Sequence, residues 1–139
     1  MRLYARRHQM PARIATGAYI LNSGLSKVNA DAETAAGVHG MAAGTYPFLH
    51  DLEPERFTRM LSRAEIALGA ALLLPVVPSL VAGAALTAFA GGLLGLYLRT
   101  PGLRQEGSLR PTQEGIGVAK DVWLLGIGVG LVVEELSRD

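Results

Sequence analysis

The sequence contains no cysteine. That absence excludes disulfides, iron–sulfur clusters, thiolate zinc sites and thiol nucleophiles. Charge is scarce as well: Asp, Glu, Lys and Arg make up 18% of the 139 residues, against roughly 25% in ordinary soluble domains. With a net charge of +1, the chain lacks the basic footprint of a nucleic-acid protein, and no nucleic-acid partner is expected. No glycine-rich loop leads into Lys-Ser or Lys-Thr, so no phosphate loop is present. No nucleophile elbow of the serine hydrolases occurs. His8, His39 and His50 lie outside the apolar segments, which removes the paired axial ligands of a buried haem. His39 and His50, with Asp51 and Glu53, match no metal-ligand spacing. Neither a metal site nor a catalytic residue is expected, and the sequence names no reaction.

What is abundant is apolar surface. Hydrophobic residues reach 50%, and mean hydropathy is +0.29. Ile66 to Leu98 is a run of 33 residues without a charge. As one helix it would extend about 50 Å, well beyond a hydrocarbon core of roughly 30 Å. Pro75 and Pro78 interrupt it, because proline removes a helix donor and clashes with the preceding turn. The run therefore predicts two helices joined by a tight turn. Pro54-Glu55 supplies the start of the first, with an acid near the positive end of the helix dipole. Two shorter charge-free segments flank this hairpin, Ile14–Ser26 and Val122–Val133. Each reaches membrane length if its flanking cations snorkel or face the bundle interior. The expected architecture is an all-α, integral-membrane four-helix bundle in a single domain, with spans at about 12–28, 55–75, 79–98 and 114–133. A surface helical segment between the first two spans is expected to pack over the bundle mouth. The first apolar segment lacks a fitting cleavage site and is taken as retained. Its basic start, with Arg2, Arg6 and Arg7, favours cytoplasmic termini, although the loop side carries more Lys and Arg.

Gly83, Thr87, Gly91 and Gly95 recur every four residues, as do Gly126 and Gly130. Such small-residue faces let helices approach closely in lipid. They are expected to pack the bundle or to meet another subunit or a second copy. Ionisable residues at membrane depth are functional candidates, because burying them is costly. That criterion selects Arg13, Lys27, Glu65, Lys120 and Asp121, with polar Asn22, Ser23 and Ser26 nearby. Ser62, Glu65 and Gly69 share one helix face. Glu65, Asp121, Lys27 and Lys120 are expected at one level near the loop side. There they either pair with one another or form a pocket for a lipid headgroup, a quinone ring or an anion. Arg56, Arg59 and Arg63 form a stripe facing solvent or lipid phosphate.

Four stretches together resemble the DoxX-like family of small four-helix membrane proteins. They are Arg13-Ile14-Ala15-Thr16-Gly17, Ser23-Gly24-Leu25-Ser26-Lys27-Val28, Glu65-Ile66-Ala67-Leu68-Gly69 and Lys120-Asp121-Val122-Trp123-Leu124-Leu125. The resemblance covers about residues 13–133. It implies a bundle in a bacterial cytoplasmic membrane, surrounded by membrane lipids and associated with other membrane subunits. It implies the role of a non-catalytic accessory subunit in a larger membrane complex, such as a respiratory or redox one. The alternative it implies is a quinone- or lipid-binding component of a membrane oxidoreductase, such as a thiosulfate:quinone-type enzyme. No resident cofactor is expected beyond such a quinone or lipid. In the quinone reading, the Glu65 and Asp121 carboxylates accept protons while Arg13 and Lys27 steady the headgroup. The segment before the second span is longer than the family's minimal pattern, and the lack of cysteine excludes thiol redox chemistry within the chain.

Overall fold

The computed structural model describes residues 4–99, 103, 105, 107, 108, 110, 112 and 121–137. Five α-helices and no strands occur among them: α1 Met10–Ser26, α2 Ala32–Thr45, α3 Pro54–Leu73, α4 Ser79–Arg99 and α5 Val122–Ser137. Short 3-10 turns at Arg7–Gln9 and Pro47–Asp51 lead into α1 and follow α2. Pro11 stands in the first turn of α1 and Pro54 opens α3, where a missing N–H removes no intrahelical bond. The Asp31 carboxylate accepts from Thr34 N at 2.7 Å and caps α2. This bond holds the Asp31 carboxyl below its ordinary value of 3.8. The charge-free run does divide at Leu74–Pro78, as its prolines require.

The helices pack as two antiparallel pairs. In the first, a side chain at Gly17 would strike the Gly69 carbonyl, one at Gly24 would strike Ser62 O and Ile66 N, and one at Gly69 would strike the backbone of Leu21. Backbones therefore touch between α1 and α3. In the second pair, Gly83 on α4 faces Leu131 and the Gly128 carbonyl, and Gly128 faces Thr87. The expected glycine face of the last helix is thus displaced. Among the described residues, nothing lies within 4 Å of a Cβ added at Gly91, Gly126 or Gly130. Gly95 serves a different neighbour, the Tyr46 hydroxyl. Ile20, Leu68, Leu72, Ala82, Leu86, Ala90 and Leu124 form the apolar core between the two pairs. The segment between α1 and α3 is helical, as expected: α2 lies across α3 and α4, burying Ala35, Ala42 and Ala43.

α4 is long and apolar enough to cross a membrane, with a mean hydropathy of 1.8 over its best window. Only 28% of that window is buried inside the protein, far less than a soluble core helix would bury. Among the described residues it is the one helix that qualifies. α1 and α5 are 17 and 16 residues long, and the first half of α3 carries Arg56, Arg59 and Arg63, all exposed. The beginning of the expected last span, residues 114–120, lies outside the described residues.

Candidate functional site

Two polar clusters lie at opposite ends of the bundle. The first surrounds Lys27 and Glu65. Because α1 and α3 run antiparallel, the last turn of α1 lies beside the middle of α3. Lys27 Nζ lies 2.9 Å from Glu65 Oε1, with the Glu65 side chain almost fully buried. The Ser23 hydroxyl donates to Glu65 Oε2 at 2.7 Å, and Lys27 Nζ donates to Ser23 Oγ at 2.7 Å and to Ser23 O at 3.3 Å. A buried carboxylate thereby meets both a cation and a hydroxyl, as burial of charge requires.

This triad forms part of the wall of a cavity of about 540 Å³ between the helix pairs. That volume lies within the range of small-molecule pockets, roughly 300–1,000 Å³. Ile20, Val38, Phe57, Leu61, Phe89 and Leu93 make most of the wall apolar. Tyr19 and Met41 line it and are themselves exposed, so the cavity opens to the outside. Tyr46 also lines it, its hydroxyl donating to Gly92 O at 2.8 Å. Asp121, 7% exposed, brings a second carboxylate to the same cavity.

Of the six candidate residues, Lys27, Glu65 and Asp121 are brought together. Asn22 is exposed on α1 and does not line the cavity. Lys120 lies outside the described residues. Arg13 belongs to the other end, fourteen residues from Lys27 and roughly 21 Å away along the helix. Its guanidinium is fully buried. It donates to the carbonyls of Ala71, Leu72, Leu74 and Val77 and to Ser79 Oγ, at 2.7–3.0 Å. These bonds use all five N–H groups of the side chain. Three of the carbonyls belong to the C-terminal end of α3 and the residue after it, where acceptors lack helical donors and a cation is favoured.

The second cluster continues from there. Ser79 donates to Gln9 Oε1 at 2.6 Å, and Gln9 Nε2 donates to Glu135 Oε1 at 3.0 Å. Arg6 Nε reaches the same Glu135 oxygen at 3.0 Å, and His8 lies 2.6 Å from Glu134 Oε1. Gln9, Ser79 and Glu135 are all buried. This clamp ties the segment before α1 to the α3–α4 turn and to the last turns of α5. The sequence reading missed it, because its members stand far apart in the chain and share no local pattern. The available signal was a pair of acids, Glu134 and Glu135, closing an apolar helix while basic residues open the first one.

Among the described residues no group of three or more His, Asp or Glu side chains could hold a metal ion. His39 instead bonds Leu49 O at 2.7 Å and meets the Phe57 ring edge-on. The geometry is that of an all-helical protein with an apolar cavity and a localised polar cluster in its wall. In comparisons with protein-family models, curated proteins and solved structures, the chain matches none.

Proposed function

We propose that this chain is a multi-pass membrane protein that binds one amphipathic molecule in the cavity between its helix pairs. The observation that carries the reading is the cavity itself: apolar over most of its wall, with Asp121 and the mutually bonded Ser23, Lys27 and Glu65 in its lining. That distribution suits a hydrocarbon body with a polar head. Support for the membrane comes from the mostly unburied α4 and from exposed Ile14, Leu25, Val81, Trp123 and Val133. Apolar surface of that kind marks a membrane or partner surface. The DoxX-like resemblance agrees, and with it a bacterial cytoplasmic membrane. The triad serves to hold and orient a head group. Non-catalytic binding is the reading adopted.

The test is purification of the tagged protein from its membrane in a gentle detergent, with mass spectrometry of the extracted small molecules and of copurifying proteins. The expected result is one lipid-class species at a fixed ratio to protein. It should be lost from Ala88→Trp, which places an indole at a lining position of α4. A random sample of the bulk lipid, unchanged in that variant, would overturn the reading. A second reading, an accessory subunit of a larger complex, draws on Gly91, Gly126 and Gly130, where an added Cβ would meet nothing among the described residues. A stoichiometric protein partner without a specific small molecule would favour it.

A further inference from the structure

The way into the cavity narrows the class of its ligand, granted that the cavity is a binding site in a membrane. We infer that the ligand is a lipid of the bilayer itself, entering sideways from the hydrocarbon layer rather than from water.

The rim of the cavity lies at mid-helix. Ala88 lines the cavity and is exposed, and it stands roughly 14 and 17 Å along α4 from Ser79 and Arg99. The whole of α4 is about 31 Å long, close to the thickness of the hydrocarbon core. With α4 across the bilayer, Ala88 therefore sits near the midplane. Tyr19 also lines the cavity and is exposed, roughly 14 and 11 Å from the two ends of α1. Met41 of α2 adds a third exposed position. None of the three carries a charge at neutral pH.

The loop end, by contrast, is roofed. α2 lies across α3 and α4 there, burying Ala42 and Ala43, and the Tyr46 hydroxyl after it donates to Gly92 O at 2.8 Å. Val38, Ala42 and Leu49 line the cavity from this side, and among the described residues of α2 and the turn after it no charged side chain does.

The order of polar wall and rim matches one leaflet. Lys27 stands roughly 12 Å closer to the loop end than Tyr19 along α1, and it holds Ser23 and Glu65 there. A lipid of the loop-end leaflet already carries its head toward that surface and its chain toward the midplane. It can slide past the rim without turning over, leaving its chain against Ile20, Leu61, Phe89 and Leu93. A water-borne ligand would have to cross acyl chains to reach the rim, or lift α2 off α4.

Tryptophan quenching tests this. Trp123, the single tryptophan, is replaced by Phe in every variant. Phe89→Trp then places the only indole on the cavity wall. Val129→Trp places it on the exposed face of α5, next to Gly128, which meets Thr87 at the level of Ala88. The full chain is reconstituted in phosphatidylcholine vesicles, with acyl chains plain or brominated midway along their length, and iodide is added to the water. Both indoles are expected to lose most of their fluorescence to the bromines and little to iodide. Adding Ala88→Phe, which fills the rim, should restore the fluorescence of Phe89→Trp and leave Val129→Trp quenched; a misfolded chain would gain no such protection. Three results overturn sideways entry while the membrane reading stands: Phe89→Trp quenched by iodide, Phe89→Trp spared by bromines that quench Val129→Trp, or quenching that Ala88→Phe does not relieve. The cavity reading is then judged by the copurifying lipid alone. Val129→Trp open to iodide and spared by the bromines overturns the membrane reading and the inference together.

Discussion

Replacing Arg13 by methionine removes the side-chain donors at the end of α3. The carbonyls of Ala71, Leu72 and Val77 lose the guanidinium, Leu74 O keeps only the Val77 amide, and Ser79 Oγ loses one donor. Pro75 and Pro78 have no N–H to offer in its place. An unsatisfied buried acceptor costs about 1–3 kcal/mol. Simple addition overshoots, because Leu74 is half exposed and water can reach part of the turn. The native state also no longer has to bury a guanidinium. The carbonyls left without the guanidinium, offset in part by its relieved burial, give about 3–5 kcal/mol in sum, and that is the expected effect of Arg13→Met. Arg13→Lys keeps the charge but offers three donors without the planar fork, so it should fall between. Circular dichroism melting in detergent is the assay, with limited proteolysis across 74–78 as a local readout. A loss of about 10 °C or more is expected for methionine at this chain length, with cleavage at the turn. If Arg13→Met melts with the native protein and its turn stays protected, the guanidinium is not what satisfies these carbonyls and the reasoning fails.

Three further outcomes follow from the geometry. Gly69→Val should destabilise α1–α3 packing by several kcal/mol, because the new Cβ would meet the Leu21 backbone at 2.7–2.8 Å and backbone cannot rotate away; Gly91→Ala meets nothing and should stabilise α4 by about 0.5–1 kcal/mol, both read from unfolding in the same detergent. The Asp31 carboxyl titrates below its ordinary value of 3.8 in the folded chain, so its contribution is complete above that value and disappears as pH falls through the lowered one; the Thr34 amide resonance should report fraying of α2 in acid, and Asp31→Asn should cap without that pH dependence.

Legibility was uneven for definite reasons. The α3–α4 hairpin could be read because prolines inside a charge-free run leave few alternatives. Lys27, Glu65 and Asp121 could be read because ionisable groups beside long apolar segments are rare, and helical spacing places Glu65 on the face of Ser62 and Gly69. The resemblance places Arg13 with Lys27 at one headgroup in the quinone reading, yet the two bracket one helix and stand apart along it. Asn22 shares the neighbourhood of Ser23 in sequence but points about 100° away around the helix. The register of the α5 glycines was not legible: Gly126 and Gly130 repeat every four residues, but Gly128 is the one that meets Gly83 and Thr87. A small-residue period identifies a close approach without identifying the partner. Gln9 and Glu135 were invisible because a hydrogen bond spanning 126 positions leaves no trace in a local window.

The clamp at the closed end orders the birth of the molecule. Arg13 can find its carbonyls as soon as the α3–α4 turn exists, so the first three long helices can settle while the ribosome is still at work. Glu135 joins Arg6 across 129 positions and is made only after α1 to α4. Until then Arg6 Nε and Gln9 Nε2 lack the acceptor that Glu135 supplies. The arrival of α5 supplies that acceptor, so the segment before α1 is latched only once α5 has emerged. A nascent chain halted before α5 would hold a paired α1 and α3 beside an α4 whose Gly83 face still lacks its companion.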